Sequence, residues 1–517
     1  MKGQGAKHTQ MDSTRSPIKR TLTALLAALA CLSADPVRAA AAQPSAEAAK
    51  NRSLEARIRR VEQGLLPTVL IKGAPPVRMN LAKRMQFYKV PGVSVAVINE
   101  GRVEWARGYG VKEAGKDDPV TPETMFQAGS ISKPVAALAA LRFVQEGRLS
   151  LDEDVNAKLV SWKVPENEFT REQKVTLRRL LSHSAGLTVH GFPGYAADAA
   201  VPTVVQVLDG EKPANTAAVR VDIVPGTKWR YSGGGYTVLQ QLLVDLAKTP
   251  FPELLRQLVF EPLGLRHSTY EQPLPASFAA MAATAHNNGQ PIPGRWHTYP
   301  EMAAAGLWTT PTDLAEIALE IQRTLAGRSE KVLAVATARQ MVTPQMEGYG
   351  LGPGIGGQGA KARFSHGGVD EGFEAYWVAY EATGQGAVVM TNGNDGINLA
   401  LEIVRSIARE YNWPPDYAPR ERALATVPAK LLAAYAGTYK FRISPASTIK
   451  LEVTSGQGKI YTLQEGSPKR EWLPFSKTEF FRTASETTLQ FLKDERGRVG
   501  ELVIHQGGEA YHGQRIK

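Results

Sequence analysis

Apolar residues alternate with small or polar ones along Val93-Ser94-Val95-Ala96-Val97, directly after Pro91-Gly92. Asn99-Glu100-Gly101 interrupts the run, and Val103-Glu104-Trp105 takes up the alternation again. A spacing of two puts one set of side chains on one face, so this stretch predicts a β-hairpin. An Ala/Leu-rich run at 135–144, closed by Gly147, predicts a buried helix. From 149 to about 333 the chain reads as mainly helical and loop-rich, with an apolar helix at 236–246. Strand patterning returns from 363 to 392, and 397–411 has the period of an amphipathic helix. This order predicts an α+β fold: an antiparallel sheet flanked by helices, with an inserted helical region, across 91–413.

The pattern changes after Trp413-Pro414-Pro415-Asp416-Tyr417-Ala418-Pro419, which predicts a linker over 414–428. Beyond it the strands are short. Ile449, Leu451 and Val453 share a face ahead of a Gly-bearing turn at 455–458, and Leu489 and Phe491 alternate before Asp494-Glu495-Arg496-Gly497. Val503-Ile504 then precedes Gln506-Gly507-Gly508. A small all-β C-terminal domain over 429–517 follows, with no nucleophile or charge cluster in it.

The N-terminus reads differently. Lys19-Arg20 precedes an apolar run at 22–32, and Val37-Arg38-Ala39 offers small residues for cleavage before Ala40. Residues 1–39 therefore predict a secretory signal, too short to span a membrane, and an exported protein, periplasmic or secreted. The polar lead also fits translation from Met11. Cys31, the only cysteine, lies in this segment, so the mature chain forms no disulfide. Lipid attachment at Cys31 is the alternative, but Ala28-Leu29-Ala30 fits a lipobox poorly. Residues 40–90 predict an N-terminal segment, flexible at 40–50 and helical and charged at 54–65. No later stretch is long and apolar enough to be transmembrane.

With 43% hydrophobic and 21% charged residues over 517 positions, the chain is globular and has more than one domain. Its net charge of +11 is partly carried by residues 1–39, whose removal leaves +7. The remaining basic residues are interleaved with acids, without a stripe of stacking aromatics, which excludes a nucleic-acid partner.

The chemistry concentrates in Ser130-Ile131-Ser132-Lys133, at a loop-to-helix junction where Pro134 suits the first turn. Residues three apart share a helix face, so Lys133 can reach the Ser130 hydroxyl. A helix cap beside a solvated lysine would have the same local sequence. Three further segments separate the two readings: Leu180-Leu181-Ser182-His183-Ser184-Ala185-Gly186-Leu187, Tyr231-Ser232-Gly233, and Phe364-Ser365-His366-Gly367-Gly368. In this order the four resemble the motifs of the serine β-lactamase and penicillin-binding-protein superfamily. The nearest likeness is to its class C-like branch of β-lactamases, D-amino-acid peptidases and esterases. The C-terminal domain resembles the small lipocalin-like β-barrel often appended to such hydrolases.

The resemblance implies an exported serine hydrolase working through an acyl-serine intermediate, with no cofactor and no metal. Ser130 would be the nucleophile and Lys133 and Tyr231 the acid/base pair; the backbone N–H groups of Ser130 and Val369 would hold the oxyanion. Gly367 and Gly368 would leave room for the substrate backbone. A lysine base needs its pKa brought from ~10.4 to near 7, about 4–5 kcal/mol of differential environment. Two departures bear on substrate. Many relatives have Tyr-x-Asn where this chain has Gly233, and many β-lactamases have Lys-Thr-Gly where it has His366-Gly367-Gly368. Both weaken recognition of penicillin-like acids, leaving a small-molecule or peptide substrate with an ester, amide or D-amino-acid peptide bond, and β-lactams as a side activity. His366 reads equally as a substrate contact or as a buried histidine orienting the hairpin. The rival function is a penicillin-binding sensor that keeps the pocket without turnover.

Other motifs carry less. His183 and His190 lack acidic or Cys partners at metal-ligand spacing. Gly352-Pro353-Gly354-Ile355-Gly356-Gly357 matches a dinucleotide fingerprint in form only, since it contains proline and opens no helix. No serine sits in a Gly-x-Ser-x-Gly elbow, which excludes an α/β-hydrolase.

Overall fold

The alternation after Pro91 forms the strand Gly92–Asn99, paired antiparallel with Arg102–Gly110. This is a computed structural model that describes residues 46–75, 77–444, 447–465, 469–506 and 509–517. The signal segment, with Met11 and Cys31, lies outside the described residues. Residues 54–517 form one unit.

The hairpin joins a six-stranded antiparallel sheet in the order Arg102–Gly110, Gly92–Asn99, Gly386–Thr391, Phe373–Tyr380, Arg363–Asp370 and Gly354–Gly356. The last strand pairs only with Arg363, Phe364 and Ser365. The stretch from His366 to Asp370 is therefore left at an open sheet edge. Period-two alternation gives the sheet two buried faces. Phe373, Ala375 and Trp377 pack against the helices Ser132–Gln145 and Pro311–Leu325. Tyr376, Val378 and Tyr380 face the helices Leu81–Tyr88 and Gly396–Glu410.

The run predicted at 135–144 is the helix Ser132–Gln145, buried around nearly its whole circumference. It explains the absence of a polar face in that sequence. Two helices start earlier than their periodicity suggests. The charged N-terminal helix spans Ala46–Glu62, because Ala46, Ala48 and Ala49 are strong helix formers. The helix expected from 236 begins at Gly233, where the Ser232 hydroxyl accepts the Gly235 N–H at 2.9 Å. That cap, together with close packing, offsets the poor helix propensity of three consecutive glycines.

The C-terminal residues form a closed barrel of eight antiparallel strands, from Gly437–Ser444 to Glu509–Arg515, the first strand pairing with the last. Aromatic side chains fill it: Tyr435 stacks on Phe491 at 4.2 Å, beside Phe480, Tyr439 and Trp472. The interior is a packed core, not an open cup. Within the stretch read as a linker, Arg420–Arg422 pairs in parallel with Val69–Ile71. Thr68 Oγ1 donates to Ala484 O at 3.0 Å, so this N-terminal stretch also ties to the barrel. No helix among the described residues is long and apolar enough to cross a membrane.

Behind the sheet, Arg84 donates to both oxygens of Glu402, at 2.6 and 2.8 Å, and Tyr88 donates to the same carboxylate at 2.7 Å. The Glu402 side chain is fully buried. Arg84→Met would strand that carboxylate, and we expect a loss of about 3–5 kcal/mol in unfolding free energy, read by urea denaturation. A loss under about 1 kcal/mol would contradict this account of the ion pair.

Candidate active site

Ser130 sits in a single 3-10 turn, Gly129–Ile131, that runs directly into the Ser132–Gln145 helix. Ser132 locks the turn. Its hydroxyl donates to Gly129 O at 2.6 Å and accepts Leu307 N–H at 3.0 Å. Gly129 has φ +51°, and a Cβ there would lie 2.4 Å from Val369 N. The Ser130 turn is thereby pressed onto the open edge of the sheet, beside the Val369 backbone.

Lys133 is 2% exposed, with Nζ 2.9 Å from Ser130 Oγ and donating to Ala304 O at 2.7 Å. Burial brings its pKa down to about 7, opposed only by the charge of Asp370. Asp370 and Glu301 are themselves buried, and among the described residues neither carboxyl is hydrogen-bonded to another side chain. Burial raises Glu301 to about 8 and Asp370 well above the carboxylate range. A neutral Asp370 leaves desolvation to dominate at Lys133.

Tyr231 completes the group. Its phenol faces the Ser130 hydroxyl, and its ring centroid is 4.9 Å from Lys133 Nζ. Burial holds the phenol well above its usual pKa, and the Ser130 contact draws it back only in part. His183 forms the shelf beneath it: the rings lie 4.2 Å apart, and His183 Nδ1 accepts the Ser232 N–H at 3.1 Å. The His190 ring lies 4.9 Å away on Tyr231, and Tyr349 flanks it at 6.4 Å. Both histidines thus serve an aromatic box. Among the described residues, no three His, Cys, Asp or Glu side chains gather where they could hold a metal ion.

His366 is 6% exposed, its ring 6.2 Å from Tyr231. Burial first, and the charge of Lys133 second, lower its pKa to about 3. Its Nδ1 lies 2.6 Å from Gly367 O, which assigns the proton to Nδ1 and leaves Nε2 an acceptor with no partner among the described residues. A neutral ring with a lone pair on Nε2 cannot supply a cation to a substrate carboxylate.

The glycines have reasons different from those the sequence suggests. A Cβ at Gly368 would lie 1.9 Å from Ala128 O, so the chain's own turn, not a substrate, requires glycine there. At Gly367 the nearest atoms are 3.9 Å away, one of them on Ile397 behind the sheet. Gly233 is accounted for as well: a side chain would meet the Phe192 ring at 2.9 Å and His190 O at 3.1 Å. Phe192 fills the space that an asparagine would use.

The sequence reading missed Ser132, Asp370, Glu301, Tyr349 and Phe192. Asp370 had a signal, since it follows Val369 on a strand whose alternation turns it to the same side as His366. Tyr349 and Phe192 come from irregular loops and had none.

A family model described as Beta-lactamase matches residues 77–411. The chain belongs to the β-lactamase family. A second model, described as a domain of unknown function (DUF3471), matches residues 421–515. Penicillin-binding protein 4 of Amycolatopsis lactamdurans is 26% identical over 356 residues, which cover 64% of this chain and 89% of that protein. Esterase EstB of Burkholderia gladioli is 28% identical over 40% of this chain and 53% of its own length. Protein flp of Staphylococcus aureus (strain N315) is 25% identical over 36% of each chain. The match thus spans about a third to a half of the last two. These relatives mark the chain as a β-lactamase-related protein of serine-hydrolase type. The octameric penicillin-binding protein homologue from Pyrococcus abyssi shares the fold at TM-score 0.57 and 21% identity, over 84% of this chain and 98% of that one. The β-lactamase/D-alanine carboxypeptidase from Yersinia pestis does so at TM-score 0.50 and 19% identity, over 64% and 97%.

Between pH ~7 and ~10 the unfolded chain holds a proton on Lys133 that the folded chain lacks, so stability from this group climbs with pH across that window. Lys133→Met should therefore stabilise the protein by about 1–3 kcal/mol at pH 7, after allowing for the lost bond to Ala304 O, and by little at pH 10. Thermal melts across that range read the difference, and a variant destabilised equally at both pH values would refute the buried neutral amine.

Proposed function

We propose that this β-lactamase-family protein is an exported serine hydrolase that cleaves ester, amide or D-amino-acid peptide bonds through an acyl-enzyme on Ser130. The observation that carries the reading is the Lys133 amine, shielded from water, 2.9 Å from the Ser130 hydroxyl, with its pKa lowered to about 7. About half of it is neutral at pH 7, which is the state a base requires.

The separation of pKa values divides the work. Tyr231 keeps its proton at neutral pH and cannot be the resting base. Lys133 takes the Ser130 proton as Oγ attacks the carbonyl carbon, and the C=O electron pair moves onto oxygen. The N–H groups of Ser130 and Val369 hold that oxyanion; losing one such donor typically costs about 100- to 1000-fold in rate. When the tetrahedral centre collapses, Tyr231 gives its proton to the leaving oxygen or nitrogen and is reprotonated from Lys133. Water then attacks the acyl-serine, with the proton flow reversed, and frees the acid. His366 accepts a hydrogen bond from substrate N–H or O–H at Nε2.

Substrate choice rests on two features. His366 brings no positive charge, and Phe192 occupies the place of an amide donor at position 233. Both disfavour penicillin-like acids relative to neutral esters and peptides. Phe192 also supports a second reading, a slowly turning over penicillin-binding sensor, because a pocket narrowed beside Tyr231 can hold an acyl group without productive deacylation. Export rests on Lys19-Arg20, the apolar run at 22–32 and the small residues before Ala40.

A fluorophosphonate probe with peptide mapping should label Ser130, and Ser130→Ala should remove the label. A panel of p-nitrophenyl esters, D-alanyl peptides and nitrocefin should show the ester or peptide turned over fastest, with kcat/KM rising as pH passes ~7 and then level. Stable labelling by fluorescent penicillin without release would favour the sensor. Unlabelled native protein would count against both.

A further inference from the structure

A second concave site lies behind the sheet, away from Ser130. Glu374 is the cross-strand register partner of Val369, and period-two alternation turns both away from the face of His366 and Asp370, Glu374 toward the Gly396–Glu410 helix. There a cavity of about 930 Å³ opens between that face and the barrel. We propose that this cavity binds an amphiphilic monocarboxylate, its head held by Arg470 and Arg482 and its apolar body laid along the wall formed by Leu70, Phe87 and Leu473.

The charge pattern points to an anionic head. Arg482 is mostly buried, its guanidinium 5.6 Å from the Trp472 ring, and it makes no hydrogen bond or ion pair among the described residues. A guanidinium has five N–H donors, so Arg482 keeps donors available to a group that enters the cavity. Arg470 has Asp395 at 3.7 Å, beyond hydrogen-bond reach, and the buried Glu374 within electrostatic range. Burial, then the like charge of Arg470, lowers the Arg482 pKa. Asp395 offsets part of this repulsion at both arginines, and a bound anion would offset the rest. Asp395, in the left-handed region, makes no side-chain cap on the Gly396–Glu410 helix, and that helix's positive end also faces the cavity.

The other charged lining groups are engaged. Arg84 is paired with Glu402, Glu471 with Lys459, and Lys89 Nζ donates to Asn288 Oδ1 at 2.7 Å. Lys469 lies over the Tyr461 ring, and Glu421 is exposed at the margin. Glu374 is buried, accepts the Ile397 N–H at 2.6 Å and has its pKa raised to about 7. Asp395 supplies one negative charge against the two arginines, and Glu374, with its pKa raised to about 7, is protonated below that pH; there one added negative charge completes the balance, whereas two exceed it. The opposite wall is apolar, and Val77 and Phe87 are 43% and 66% exposed at its mouth. Exposed large apolar side chains beside convergent polar groups are the makings of a ligand site.

Calorimetric titration of the full chain with decanoate, decanol and decyl phosphate tests this. Decanoate should bind saturably at one site, with decanol and decyl phosphate each at least about tenfold weaker. Arg470→Gln combined with Arg482→Gln should weaken decanoate about 10- to 100-fold while leaving decanol unchanged. Phe87→Ser, at a position 66% exposed, should weaken decanoate and decanol alike in protein whose thermal melt confirms that it is folded. The proposal is overturned if decanoate binds no better than decanol, if decyl phosphate binds more tightly, or if the Phe87 variant binds both unchanged. Undiminished decanoate affinity in the folded double-arginine variant would overturn it too.

Discussion

The amine of Lys133 is bonded to Ala304 O and lies within hydrogen-bond distance of Ser130, in the first turn of a helix whose neighbours are almost all apolar. Excluding water from that amine shifts its proton affinity, and several surrounding features serve the exclusion. The helix is apolar around its circumference, the Tyr231 box closes one side, and Asp370 and Glu301 are buried deeply enough to favour their neutral forms. An ionised carboxylate at Asp370 would favour the protonated lysine. Burying these groups costs stability, an arrangement often found at functional sites.

Rigid backbone contacts fix the Ser130–Val369 geometry. Gly129 and Gly368 are each required because the Ser130 turn meets the sheet edge at backbone distance, with no room for a Cβ on either side. Ser132 then ties the turn to Leu307. The short final strand leaves His366 to Asp370 unpaired on one side. An open strand edge of this kind is a surface to which an extended peptide backbone can add.

Much of this was legible from residue order. Ser130, Lys133 and Tyr231 lie together as their motifs imply; the sheet, its flanking helices and the short C-terminal strands follow from periodicity, and the closure of those strands into a barrel is what the resemblance implied. What stayed hidden depends on tertiary proximity. Phe192 comes from an irregular loop, so nothing near Gly233 in sequence explains why that position lacks an asparagine. The clash of Gly368 with Ala128 joins residues 240 positions apart. The helix from Gly233 contradicts local propensity because the Ser232 cap and the packing of Phe192 and Val219 against its first turn override it. His366 was ambiguous in sequence because its charge is set by burial, which no motif encodes.

The most direct test is the ionisation of Lys133 itself. NMR titration of the Lys133 side chain, enriched with 13C at Cε and assigned through Lys133→Met, should give an apparent pKa near 7 in the folded protein. A value at or above about 10 would mean the amine is charged wherever the protein functions, and the account of Ser130 activation would be wrong.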